Sequence, residues 1–140
     1  MSDFVDYEPK VQATAFRAPV GIRAAVPADV GALAAVMSVR GGASVDYVER
    51  AGRLIGHLPV LLMAEADRRA VGWCGIQKIS IFPGVDPGWL IAGITVVPEQ
   101  RRRGVAAQLL HGVVSATTDA TPGEPVFSVI NVGNQASIDL

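Results

Sequence analysis

Between residues 89 and 106 the chain passes from a β-rich apolar run, through a proline, into three arginines and then a helical pattern opened by small residues. Residues 89–97 (Trp-Leu-Ile-Ala-Gly-Ile-Thr-Val-Val) read as a strand, β4. Pro98 has no backbone donor and stops the ladder. From about Arg102 the spacing of Val105, Leu109, Leu110, Val113 and Val114 predicts a helix, α3. So short a turn brings the N-terminus of a helix to the end of a buried strand, and every fold open to this chain must contain that junction.

The junction favours anions. The first amides of a helix have no intrahelical acceptor, and the helix dipole adds about half a positive charge there. Gly104 and Ala106 leave the backbone accessible, and Arg101, Arg102 and Arg103 add positive charge on the approach. These residues by themselves indicate an anion site; a solvated charge cluster at a turn is the competing reading.

Around the junction the pattern is regular. Residues 20–25 read as β1, and Pro27 with Asp29 opens α1 through Val30, Leu33, Ala34 and Met37. After Gly41–Gly42, Ser44 caps α2, whose buried stripe is Val45, Val48, Ala51, Leu54 and Ile55 and which Gly56 ends. Residues 59–64 (β2) and 70–79 (β3) form a hairpin about the polar turn 65–69. Residues 80–88 are a Pro/Gly loop, 117–125 a turn-rich connection, 126–130 a fifth strand (β5) and 134–140 the first turns of a further helix. The order β α α β β β α β α predicts a mixed sheet with helices on both faces.

The 140 residues suit a single domain, 20–140, preceded by a loosely ordered leader, 1–19, whose Asp3, Asp6 and Glu8 leave no apolar signal core. A cytoplasmic location is expected. A domain that stops on the first turns of a helix leaves β5 uncovered, so the chain is expected to be truncated or completed by another chain, and a homodimer would provide that cover. Net charge is −1, from 12 basic and 13 acidic residues, which gives no general attraction to nucleic acid or to an anionic membrane. No apolar run approaches the roughly 20 residues of a membrane-spanning helix. Cys74 is the lone cysteine and reads as a core residue; no metal site is expected.

Val96-x-Pro98-x-x-Arg101-x-Arg103-Gly104-x-Ala106, followed by Leu109-Leu110, resembles the R/Q-x-x-G-x-G/A acyl-coenzyme A signature of the GNAT N-acyltransferases. Ile22-Arg23-x-Ala25-x-Pro27-x-Asp29, Val71-Gly72 and Asn134-x-x-Ser137-x-x-Leu140 resemble the family's first strand and helix opening, its third strand and its fourth helix. The resemblance implies an α/β (α+β) fold: a mixed, mostly antiparallel central sheet, splayed between β4 and β5, here lacking its C-terminal strands. It implies acetyl-CoA as donor, pantetheine along the β4 backbone at Ile94, Thr95 and Val96, and pyrophosphate on Arg101 and the amides of Arg102, Arg103, Gly104, Val105, Ala106 and Ala107. Asn134 would reach the pantetheine amides, or would only cap its helix.

Direct attack of an amine on the thioester, as the resemblance implies, needs an oxyanion donor, for which the Val96 amide is expected. No Asp, Glu or His lies in 89–97, so the general base is unassigned; a water chain ending at Asp86 or Glu65 is one route. The general acid is unassigned too. The acceptor is expected to be a small-molecule or exposed protein amine. Trp73 reads as a packing residue, Trp89 as packing or the wall of an acceptor pocket, and His57 and His111 as surface residues. A non-catalytic acyl-CoA-binding module is the second reading, and a nucleic-acid-binding domain, resting on the arginine triplet, the third.

Overall fold

The computed structural model describes residues 20–41, 46–80, 83–84 and 88–127. Five strands form one sheet in the order β1-β2-β3-β4-β5: β1 Gly21–Ala24, β2 Val60–Ala66, β3 Arg69–Ile79, β4 Gly88–Val96 and β5 Val126–Phe127. The first four pair antiparallel, and β5 joins the opening residues of β4 in parallel, Trp89 facing Val126 and Leu90 facing Phe127. The mixed, mostly antiparallel sheet is therefore as the sequence predicted.

The β2–β3 hairpin turns on only two residues, Asp67 and Arg68, with φ of +51° and +65°. Positive φ at both central positions is the backbone of a type I′ turn, whose twist matches that of the flanking strands. The turn is thus tighter than the predicted 65–69.

Helix α1 (Val30–Ser38) packs on one face of the sheet, with α2 (Tyr47–His57) resting on α1, and α3 (Val105–Ala120) packs on the other. Leu33, Ala34, Val36 and Met37 are the buried stripe of α1, as its spacing predicts. In α2 the cap is Asp46, whose carboxylate accepts the Glu49 amide at 3.0 Å; the expected cap, Ser44, and Val45 lie outside the described residues. Val48, assigned to the buried stripe, is 58% exposed. Ala51 alone is fully covered, because α2 rests its edge on α1, and the helix runs through Gly56 to His57. Thr117, predicted to begin a loop, is buried inside α3, where its hydroxyl donates to the Val114 carbonyl at 2.8 Å. That bond absorbs the polar group that made the segment look like a turn.

α3 approaches the sheet closely because two glycines permit it. A Cβ on Gly72 would lie 3.1 Å from Leu109 Cδ1, and one on Gly112 would lie 2.7 Å from Leu62 Cδ1. The first turn of α3 is thereby seated over the middle of the sheet.

On β1 the Arg23 guanidinium grips Asp29 through two bonds of 2.7 and 2.8 Å and Glu65 through two of 2.8 and 3.3 Å. Asp29, 8% exposed, also accepts the Val26 amide at 2.7 Å, which fixes the entry into α1. The Arg23 hydrogen bonds hold the Asp29 carboxyl at about 2, against an ordinary value of 3.8. A depressed carboxyl contributes stability that is present above its unfolded pKa and is lost as pH falls through the folded one. Stability should therefore fall by about 1–2 kcal/mol between pH 4 and pH 2 from this group, allowing for screening at the half-exposed arginine. Thermal unfolding across that range, compared with Asp29→Asn, checks it: the variant should be less stable at pH 6 and show a flatter acid limb.

Candidate active site

β4 ends at Val96, and Pro98–Gln100 forms a single 3-10 turn before the arginines. The helix does not begin at Arg102. Arg102 and Gly104 both adopt positive φ, +62° and +81°, so residues 101–104 make a turn and α3 starts at Val105 with Gly104 as its N-cap. The three arginines thus stand ahead of the helix, all exposed, and Arg101 Nε donates to the Val96 carbonyl at 3.0 Å, tying the turn to the end of β4.

The first intrahelical bond runs from the Gln108 amide to the Gly104 carbonyl at 3.0 Å. Gly104 carries no capping side chain, so the amides of Gly104, Val105, Ala106 and Ala107 lack acceptors within the helix. The Gln108 Nε2 group, one helical turn beyond Gly104, is buried without a partner. Unused donors beside exposed arginines suit a pyrophosphate.

The register of β4 determines which of its amides are free. The Val97 amide donates to the Val71 carbonyl at 2.9 Å while Gly72 stands opposite Val96. Gly72–Val96 is therefore a non-hydrogen-bonded pair, so the Val96 amide and carbonyl, and by the two-residue alternation those of Ile94, face away from β3. Thr95, opposite Trp73, spends its own backbone groups on β3 and contributes a buried side chain instead. Ile94 and Val96 thus have the backbone orientation a pantetheine arm needs, whereas Thr95 does not. Asn134 and Asp86 lie outside the described residues.

On the face opposite α3 an open cleft of about 330 Å³ lies among Met37, Arg40, Gly41, Tyr47, Arg50, Trp73 and β4 residues 92–95. Two features carve it. Gly75 pairs with Gly93 and Ile76 with Ile91, so Ala92 is an extra residue and β4 bulges at the cleft. Trp73 lies flat across two glycines: a Cβ on Gly75 would be 3.1 Å from Trp73 Cζ3, and one on Gly93 would be 2.5 Å from Trp73 Cη2. A Cβ on Gly41 would coincide with Tyr47 Oη, so the loop after α1 hugs that ring.

Sequence reasoning missed Arg40, Tyr47 and Arg50 and read Trp73 as packing alone. Tyr47 and Arg50 stand three apart on one helix face, which is a signal of shared direction but not of what they face. Trp89 packs, its indole N–H donating to Thr121 Oγ1 at 2.8 Å, and does not line the cleft. Glu65 is engaged by Arg23, which lowers its pKa, at the opposite end of the sheet, so it does not serve as the base. Burial pushes the Cys74 thiol up to about 12, leaving it a core residue, and His57 and His111 are exposed. Among the described residues no group of three His, Cys, Asp or Glu could hold a metal, and no helix is long and apolar enough to cross a membrane.

Several solved structures share this fold. The aminoglycoside N-acetyltransferase AAC(6')-Iy in complex with CoA superposes with a TM-score of 0.73 at 22% identity, covering 85% of this chain and 82% of that one. AAC(6')-Ih from Acinetobacter baumannii gives 0.72 at 21% identity, covering 85% and 84%. A GNAT family acetyltransferase from Brucella melitensis in complex with acetyl-CoA gives 0.65 at 19% identity, covering 85% and 80%. Comparison with curated proteins finds no match. The family model described as Acetyltransferase (GNAT) family matches residues 39–140, which include β4, the arginine turn and all the cleft-lining residues except Met37. With most of its length so matched and its strand-to-helix junction built as described, the chain belongs to the GNAT family of acetyltransferases, which transfer an acetyl group from acetyl-CoA.

Proposed function

We propose that this chain acetylates a small-molecule amine, with acetyl-CoA held at the junction of β4 and α3 and the amine entering from the cleft. One observation carries the reading: unused amides at the N-terminus of α3 adjoin a strand whose Ile94 and Val96 amides also face away from their neighbour. In this reading Gly104, Val105, Ala106 and Ala107 donate to the pyrophosphate, Arg102 and Arg103 add charge, and Arg101 braces the turn through Val96. Ile94 and Val96 align the pantetheine by main-chain bonds, and Asn134 is a further candidate partner.

When bound, acetyl-CoA supplies the acyl group: the amine nitrogen bonds to its carbonyl carbon, the C–S bond breaks, and the thiolate takes up a proton equal to the one the nitrogen loses. The Val96 amide is the donor proposed for the charge developing on the carbonyl oxygen, a role worth a few kcal/mol where water is excluded. Among the described residues no Asp, Glu or His lines the cleft, so water is left to carry the proton away from the amine.

That same lack of an acid or base favours one second reading, binding of acyl-CoA without turnover. Calorimetric titration of acetyl-CoA, followed by thiol release with a panel of amines, tests both. Saturable binding with amine-dependent thiol release supports the transferase; binding with no release from any amine supports the module; no binding by folded protein overturns both.

A further inference from the structure

The charge of the cleft is one-sided. Among the described residues its lining contains two arginines, Arg40 and Arg50, and no carboxylate. Neither arginine forms an ion pair among the described residues, whose salt bridges engage only Arg23 and Lys78. The nearest carboxylates along α2, Asp46 and Glu49, do not line the cleft, and Asp46 is occupied in capping. Trp73, which lines the cleft, is only 4% exposed, and its indole Nε1 is buried without any acceptor. Met37 and Trp73 supply apolar surface. An acceptor recognised here must bring negative charge to meet two guanidinium groups.

We infer that the acceptor is a primary amine that also carries an oxyanion, a carboxylate or a phosphate, which Arg40 and Arg50 hold while the apolar wall packs its carbon skeleton. This rests on the transferase reading above. Guanidinium groups bind either oxyanion through paired N–H donors. Their charge also serves the reaction, because positive neighbours disfavour an ammonium and raise the fraction of neutral amine able to attack. A polycationic acceptor would meet like charge on entry. The balance is R–NH2 plus acetyl thioester giving R–NH–acetyl plus thiol, with the anionic group on R unchanged.

Product binding gives a test free of amine protonation. N-acetyl-L-leucine and neutral N-acetyl-L-leucinamide are titrated calorimetrically into the protein and into Arg40→Gln and Arg50→Gln, and acetyl-CoA is titrated separately. The anion is expected to bind about tenfold more tightly than the amide, the ratio for one charge-assisted bond, and each substitution should shrink that ratio. Thiol release with L-leucine, O-phosphoethanolamine and isopentylamine then separates the sources: preference for either of the first two over isopentylamine supports the inference and names the oxyanion. Equal binding of anion and amide, or faster turnover of isopentylamine than of both anionic amines, overturns it while normal acetyl-CoA binding leaves the transferase reading intact. Failure of acetyl-CoA to bind overturns both.

Discussion

Gly104→Glu should weaken acetyl-CoA binding by at least about 100-fold while the protein remains folded. Two effects add. Gly104 sits at φ +81° as the N-cap of α3, a conformation that costs an L-residue about 1–2 kcal/mol. The introduced carboxylate would also stand among the amides assigned to the pyrophosphate, replacing attraction by repulsion at the end of the helix where its dipole is positive. Gly104→Ala isolates the first effect and should cost far less affinity than the charged variant. Calorimetry on both, with circular dichroism to confirm folding, checks the result. Wild-type affinity in Gly104→Glu would mean that the phosphates do not rest on this turn.

Gly93→Val should destabilise the fold by about 2–3 kcal/mol and damage the acceptor side selectively. A Cβ at position 93 would stand 2.5 and 2.8 Å from Trp73 Cη2 and Cζ2, ring atoms with no flexible end to swing aside. The indole has little room to retreat, since its other edge already covers Gly75, where a Cβ would meet Leu58 Cδ1 at 2.5 Å. Relief comes by lifting Trp73 into the cleft or by spreading β3 from β4. Urea unfolding followed by tryptophan fluorescence reports the stability loss. In the folded variant the KM for the amine should rise while acetyl-CoA affinity changes little, because the α3 N-terminus lies on the other face of the sheet. An equal loss on both ligands would show that the ring supports the whole sheet and not the cleft.

These two substitutions mark the difference between what a strip of sequence reveals and what folding adds. The proposed phosphate side is legible because its determinants are contiguous: Pro98 ends a strand, small residues open a helix, and arginines stand between them. Even there the local backbone escaped. Nothing in an arginine announces a positive φ, so the sequence pattern extends the helix to Arg102, which belongs to the turn. The shift to Val105 is set by the turn's need to fold back onto β4, where Arg101 holds the Val96 carbonyl.

The order of elements, the hairpin, the apolar stripe of α1 and the family signature of the junction are local or periodic properties, and the amino-acid sequence by itself determined them. Only the tertiary structure decided the cleft proposed for the acceptor. Arg40 at the end of α1, Arg50 on α2, Trp73 on β3 and the bulge at Ala92 on β4 are far apart along the chain and meet because α1 packs on one sheet face and α2 rests on α1. Periodicity says that a residue is buried or exposed, and not which distant residue it faces; that information arises only when non-local contacts close. The same reason explains Glu65, which the sequence offers as one end of a proton route and which the pairing of β1 with β2 delivers to Arg23.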